Sequence, residues 1–182
     1  MRKLKNSELD RKSIEEFKAS DKTPIIIVLD NVRSLNNIGS VFRTSDALLI
    51  EAVYLCGITA TPPHRELHKT ALGAEDSVKW KYFKNTEDAI TKLMENGFEV
   101  YSVEQAENSI SLENFETDTS KKYALIFGNE VKGVQQKIVD ASYGCIEIPQ
   151  FGTKHSFNIS VSCGIVLWDL FSKMNNQKSS KH

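Results

Sequence analysis

Hydrophobic and polar positions along the chain alternate between two rhythms. Short unbroken apolar runs, IIIVLD at 25–30, AVYLC at 52–56, FEVYSV at 98–103, YALIFG at 123–128 and CIEIP at 145–149, read as strands, and β-branched 25–30 reads as buried on both faces. VKWKYF at 78–83 is strand-like as well. Between these runs the apolar residues recur at helical spacing. Ile38, Val41, Phe42 and Ala47 or Leu48 form one such face, Ala89, Ile90, Leu93 and Met94 a second, and Ile159, Cys163, Val166, Leu167 and Leu170 a third. Short helices are expected over Arg65 to Leu72 and Val134 to Val139, and a weakly amphipathic one over 7–19 around Leu9, Ile14 and Phe17. Thr86 is the expected N-cap of the second helical face, Asn96-Gly97 its stop, and Pro24 the close of the first segment. Residues 104–122 read as a loop or edge segment. Strands alternating with helices predict an α/β fold with a mostly parallel sheet.

In open sheets of this kind ligands bind beyond the carboxyl ends of the strands. Three loops occupy that position, after strands 25–30, 123–127 and 145–149, and the unusual residues sit in them. Asn37 to Arg43 (NIGSVFR) has a glycine that permits a sharp turn or a close approach. Arg43 is expected on or near the same side of the helix as Asn37, where its guanidinium could bind a phosphate, stabilise an oxyanion, or simply form a surface salt bridge. Phe127 to Gly133 (FGNEVKG) brackets Glu130 with two glycines, a pattern for close backbone contact with a ligand or for a plain tight turn. Ile148 to Ser160 (IPQFGTKHSFNIS) leads into the last helix, which Ser156 or Asn158 can cap and whose free N–H groups can hold an anion.

Several chemistries lack their residues. No GxGxxG or GxSxG occurs, and the GxxxxG spacing from Gly128 to Gly133 continues Val134-Gln135 where a phosphate loop needs Lys then Ser or Thr. His64 and His68 stand at i and i+4 without a third ligand and read as surface histidines; no metal is expected.

At 182 residues one domain is the default. No apolar run is long enough to span a membrane, and residues 1–21 lack the apolar middle of a signal peptide. Cys56, Cys145 and Cys163 are scattered, odd in number and without a CxxC, so a reducing, cytoplasmic compartment fits best. Charge changes the picture more. Lys and Arg total 23 against 24 Asp and Glu, so any contact with a polyanion must come from a local patch. The candidates are Arg2, Lys3 and Lys5, Arg11 and Lys12, Lys121 and Lys122, and Lys178 and Lys181. The alternative is that these are solvated surface charges.

Taken together and in order, the three loops resemble the motifs of the SPOUT methyltransferases, specifically the TrmH (SpoU) family of RNA ribose methyltransferases. The matching residues are Asn37, Gly39 and Arg43, then Phe127, Gly128, Glu130 and Gly133, then Ile148, Pro149, Gly152, Ser156, Asn158 and Ser160. The resemblance spans residues 24–170. It implies an α/β domain with a deep C-terminal trefoil knot, one of the rare exceptions to unknotted topology, and short helical extensions at about 1–22 and 171–182. It also implies S-adenosylmethionine as methyl donor, held near Val103, Gly128, Ile148, Ser156 and Phe157. Arg43 is the implied catalytic residue, as base or as electrostatic stabiliser, with Asn37, Glu130, Ser156 and Asn158 shaping the site and Glu130 orienting Arg43 or the loop amides. The implied partners are RNA, with tRNA (a D-loop guanosine first) preferred to rRNA, and a second copy of the chain. The alternatives are an rRNA 2′-O-methyltransferase, a catalytically inactive RNA-binding protein of the same fold, and a generic nucleotide-binding α/β protein.

Overall fold

A computed structural model describes residues 1–179. One sheet of seven strands organises it, in the order β3-β2-β1-β6-β4-β7-β5. The strands are β1 (Thr23–Asp30), β2 (Ile50–Cys56), β3 (Trp80–Phe83), β4 (Phe98–Val103), β5 (Ile110–Ser111), β6 (Lys122–Phe127) and β7 (Gly144–Glu147). Every pairing is parallel. The helices are α1 (Ile14–Ala19), α2 (Leu35–Ala47), α3 (Arg65–Ala71), α4 (Ala74–Ser77), α5 (Thr86–Glu95), α6 (Gln136–Ala141) and α7 (Ile159–Ser179).

Central β1 shows why an unbroken apolar run was needed. Ile25, Ile27 and Leu29 enter one core cluster, with Ile38 and Phe42 of α2, Leu67 of α3 and Cys163, Val166, Leu167 and Leu170 of α7. Ile26 and Val28 enter the other, with Ala89, Ile90 and Leu93 of α5 and Ile138 of α6. Side chains alternate across the pleat, so a strand with helices on both faces has no polar side to offer. Pro24 falls inside β1, beside an irregularity in register between Thr23 and Ile26, where a missing ladder N–H is tolerated.

Some expectations need correction. The N-cap of α5 is Asn85, whose side chain accepts the Asp88 N–H at 2.9 Å. Thr86 is buried, and its hydroxyl donates to Asp30 at 2.5 Å. Met94 is exposed and leaves the apolar face to Ala89, Ile90 and Leu93. Val134 precedes α6, because Gln135 is held outside the helix by Asp30, which accepts both its backbone and its amide N–H. The 104–122 segment contributes the two-residue strand β5, paired with β7 at the sheet edge. In the N-terminal extension only Ile14–Ala19 is α-helical, capped by Ser13 and anchored by buried Phe17. Asn85→Ala should lower stability by about 1 kcal/mol, the usual worth of an N-cap. Thermal unfolding would read this as a midpoint about 2–4 °C lower.

Basic residues singled out above are partly neutralised. Arg2 pairs with Glu8 and Lys121 with Glu99, each at 2.6 Å, while Lys122 lies over the Phe98 ring. Lys181 lies outside the described residues. No helix among the described residues is long and apolar enough to cross a membrane.

Candidate active site

All seven strands run the same way, so their carboxyl ends gather at one edge of the sheet. A hollow of about 1070 Å³ opens there. Val103 after β4, Gly128 after β6, Ile148 after β7, and Ser156 and Phe157 of the following loop all line it. The five positions expected to hold a methyl donor are therefore brought to one cavity.

Its walls are held by backbone contacts that leave no room for side chains. A Cβ on Gly128 would lie closer than 3.0 Å to backbone atoms of Gly133 and Val134. Asn129 and Gly133 bridge each other antiparallel, with N–H···O distances of 3.0 and 2.8 Å, so the 128–134 segment folds back over the strand end. Glu104, at the end of β4, fixes that segment by accepting the Val134 N–H at 3.0 Å. Gln105 donates to the His155 carbonyl at 2.8 Å and ties the β4 end to the 148–158 loop.

Beside the hollow the three loops meet through side chains. Glu130 accepts the Arg33 N–H at 3.0 Å, the Ser34 N–H at 2.9 Å and the Asn37 amide at 3.2 Å. Burial pushes the Glu130 carboxyl up, but the backbone donors and Asn37 outweigh it and hold the group below its ordinary value. It is therefore a carboxylate with its acceptors engaged. Asn37 in turn accepts from the Asn158 amide at 3.1 Å. Asn158 caps α7, accepting the Ser160 N–H at 2.9 Å and its hydroxyl at 2.7 Å. The cap is Asn158, while Ser156 lies in the wall of the hollow.

Two further positions differ from expectation. Gly39 makes no turn. It sits within α2, where a Cβ would collide with the Thr70 hydroxyl and the Leu67 carbonyl, so it serves the close approach of α2 to α3. Arg43 is not on the side of Asn37, because six residues at about 100° each leave the two roughly 120° apart. Arg43 is exposed, does not line the hollow, and has no hydrogen-bond or ion-pair partner among the described residues. Glu130 accordingly orients the loop amides and Asn37, not Arg43.

A second hydrogen-bonded group, under the strand ends, centres on Asp30, which the sequence pattern did not single out. It is fully buried at the end of β1 and accepts hydrogen bonds from Asn31, Thr86 and Gln135. An aspartate ending an apolar strand was a visible signal, since a buried carboxylate must find donors. His64 accepts the Glu66 N–H as the cap of α3, and His68 contacts Glu75 at 2.6 Å.

Residues 24–168 match the model of the SpoU rRNA Methylase family. A tRNA (guanosine(18)-2′-O)-methyltransferase of Aquifex aeolicus is 28% identical over 164 residues, covering 87% of this chain and 74% of the relative. An uncharacterized tRNA/rRNA methyltransferase of Borreliella burgdorferi is 31% identical over 165 residues, covering 89% and 69%. Among solved structures, the AdoMet-bound rRNA methyltransferase of Sinorhizobium meliloti superposes with a TM-score of 0.75 at 28% identity, over 82% of this chain and 56% of that one. The chain belongs to the SpoU rRNA methylase family of RNA methyltransferases.

Proposed function

We propose that this protein transfers a methyl group from S-adenosylmethionine to a ribose 2′-hydroxyl in RNA, with tRNA as substrate and a D-loop guanosine as first choice of target. The observation that carries the reading is the hydrogen-bonded chain Glu130–Asn37–Asn158–Ser160, which joins all three motif loops at the rim of the donor-sized hollow. The Aquifex relative's 2′-O activity on tRNA supports the chemistry and the substrate. The Sinorhizobium relative favours rRNA as the second choice.

The hollow fits the donor. It is of the size that encloses small ligands, and its walls at Val103, Gly128 and Ile148 are strand ends whose backbone groups can hold polar edges of a nucleoside. When bound, S-adenosylmethionine supplies an electrophilic methyl carried on a sulfonium. Ser156 and Phe157 close the wall, and Asn37 and Asn158 fix the rim. Arg43, without a hydrogen-bond or ion-pair partner among the described residues, is available to an RNA phosphate and to the oxygen of the reacting ribose. As a cation it stabilises the negative charge forming on that oxygen while the hydroxyl proton leaves to bulk water. A base role sits poorly with a guanidinium, which has no lone pair free to accept a proton.

The chain acts as a single domain with short helical extensions, and its C-terminal segment carries the trefoil knot of the family. A homodimer is supported by α7, whose outer side exposes Trp168 and Val161, seven residues apart on one helix face, next to exposed Phe157. Three free, buried cysteines fit a cytoplasmic setting.

The test is transfer of labelled methyl from S-adenosylmethionine to total tRNA and to rRNA from cells lacking this gene. Label recovered from tRNA as a 2′-O-methylnucleoside is the expected result. Label only in rRNA moves the substrate to the second choice. Donor binding without label in either RNA defeats the enzymatic reading and leaves a binding protein.

A further inference from the structure

Strand β3 forms one edge of the sheet, with β2 on its inner side and no strand on its outer side. Its sequence context is Lys79-Trp80-Lys81-Tyr82-Phe83-Lys84, and Lys79, Lys81 and Lys84 are all exposed. Lys92 of α5 is exposed and close to Lys81. None of these four lysines has a carboxylate within 4.0 Å among the described residues, although the chain as a whole carries one more acid than base. The crowding is felt: Lys92 draws the Lys81 ammonium below its ordinary value, first through their side-chain contact and then through like charge. Burial lowers Lys22, and Lys79 lowers it further. An unneutralised cluster of this kind is the footprint of a polyanion site.

Aromatic residues alternate with the lysines along the strand, so Trp80 and Tyr82 point to the sheet face opposite Lys79 and Lys81, and the two faces meet at the open edge. Trp80 is 39% exposed and Tyr82 47% exposed. Trp80 is one wall of a separate hollow of about 460 Å³, whose other walls include Pro62, Pro63, His64, Arg65 and Asp76. Lysines alone on an edge strand serve to block strand-to-strand aggregation. That purpose does not explain two large aromatic faces left open beside them, one facing a hollow that also holds an arginine. Lysines on one face of an open sheet edge and exposed aromatic rings on the other suit a nucleic acid strand that wraps the edge, with phosphates on the cations and a base face on the ring.

We propose that the β3 edge is a second contact surface for the substrate RNA, at which Lys79, Lys81, Lys84 and Lys92 meet backbone phosphates and Trp80 stacks an unpaired nucleobase in the hollow beside Pro62 and Pro63. The inference rests on the RNA methyltransferase reading above and adds to it how a chain of this size holds RNA away from the reaction centre. Because the sheet is parallel, the end of β3 and Lys84 lie on the same sheet edge as the donor hollow. Three strand intervals separate β3 from β6 and five separate it from β7. At about 4.8 Å per interval this is roughly 14–24 Å, within the span of one folded RNA whose ribose sits at the donor.

The experiment compares wild type, the triple variant K79Q/K81Q/K84Q, and W80A. It measures affinity for total tRNA from cells lacking the gene across a salt series, S-adenosylmethionine affinity by calorimetry, and self-association by sedimentation. Each phosphate contact adds about 0.7–0.9 to the slope of log affinity against log salt. The triple variant should therefore bind RNA about tenfold more weakly or worse, with the slope reduced by roughly 2–3. Trp80→Ala should weaken binding about 5- to 150-fold with the slope unchanged, as for loss of one stacked base. Donor affinity should stay as in wild type, which shows the variants folded. Wild-type RNA affinity and slope in the variants overturn the inference while leaving the methyltransferase reading intact. Unchanged affinity together with new self-association assigns the lysines to edge protection, and also overturns it. A wild-type protein that neither binds nor methylates RNA overturns both.

Discussion

Arg43→Ala should reduce methyl transfer to RNA by about 10²–10³-fold or more, the loss typical for removing one group that stabilises a developing oxyanion. The same variant should keep its S-adenosylmethionine affinity within about twofold and its thermal midpoint within about 2 °C, since an exposed, unpartnered side chain contributes little to stability. The asymmetry follows from placement. Arg43 is exposed on α2, does not line the hollow, and has no hydrogen-bond or ion-pair partner among the described residues. Arg43→Lys retains a cation but loses the planar fork, so recovery of only part of the rate would show that geometry counts as well as charge. Wild-type turnover by Arg43→Ala would remove it from the site altogether.

Much of the architecture was readable because burial on both faces leaves an unmistakable sequence trace. Ile25 to Leu29 had to be apolar at every position, and the alternate side chains do enter two different cores. The three chemical loops were readable for a related reason, since parallel strands send their carboxyl ends to one edge. What failed depended on contacts between distant residues. Asn85 and Thr86 are both acceptable caps, and only Asp30, 56 residues away, decides between them by taking the Thr86 hydroxyl. Glu130 reaches Asn37 over 93 residues, and Asn158 reaches it over 121. No local pattern encodes either bond. The β3 edge was missed because VKWKYF reads as a strand wherever it lies. Its exposed lysines and aromatics acquire meaning only from its place outside β2, which is a property of strand order. Strand β5, two residues long, has no periodicity to read. The misplacement of Arg43 is of another kind, because helical geometry alone puts positions six apart on different sides.

Gly128→Ala should raise the dissociation constant for S-adenosylmethionine by at least about 30-fold and lower the thermal midpoint by about 2–12 °C, the range expected when overpacking costs about 1–3 kcal/mol. The added methyl would meet backbone of Gly133 and Val134, which cannot swing aside as a side chain could. Moving that backbone has further consequences. The Asn129–Gly133 bridge would open, Val134 would lose its bond to Glu104, and Gln135 would be drawn from Asp30. Glu130 sits within the same segment and holds Arg33, Ser34 and Asn37, so the disturbance would pass from the wall of the hollow to the start of α2. Both donor affinity and turnover should therefore fall, in contrast to Arg43→Ala, where only turnover falls. Gly152→Ala is the matched control, because a Cβ there meets nothing within 4 Å although the residue belongs to the third motif loop. Calorimetric titration of the two glycine variants with the donor decides the matter. Equal, wild-type affinity in both would mean that the 128–134 turn is not a wall of the donor site, and the hollow would have to be reassigned.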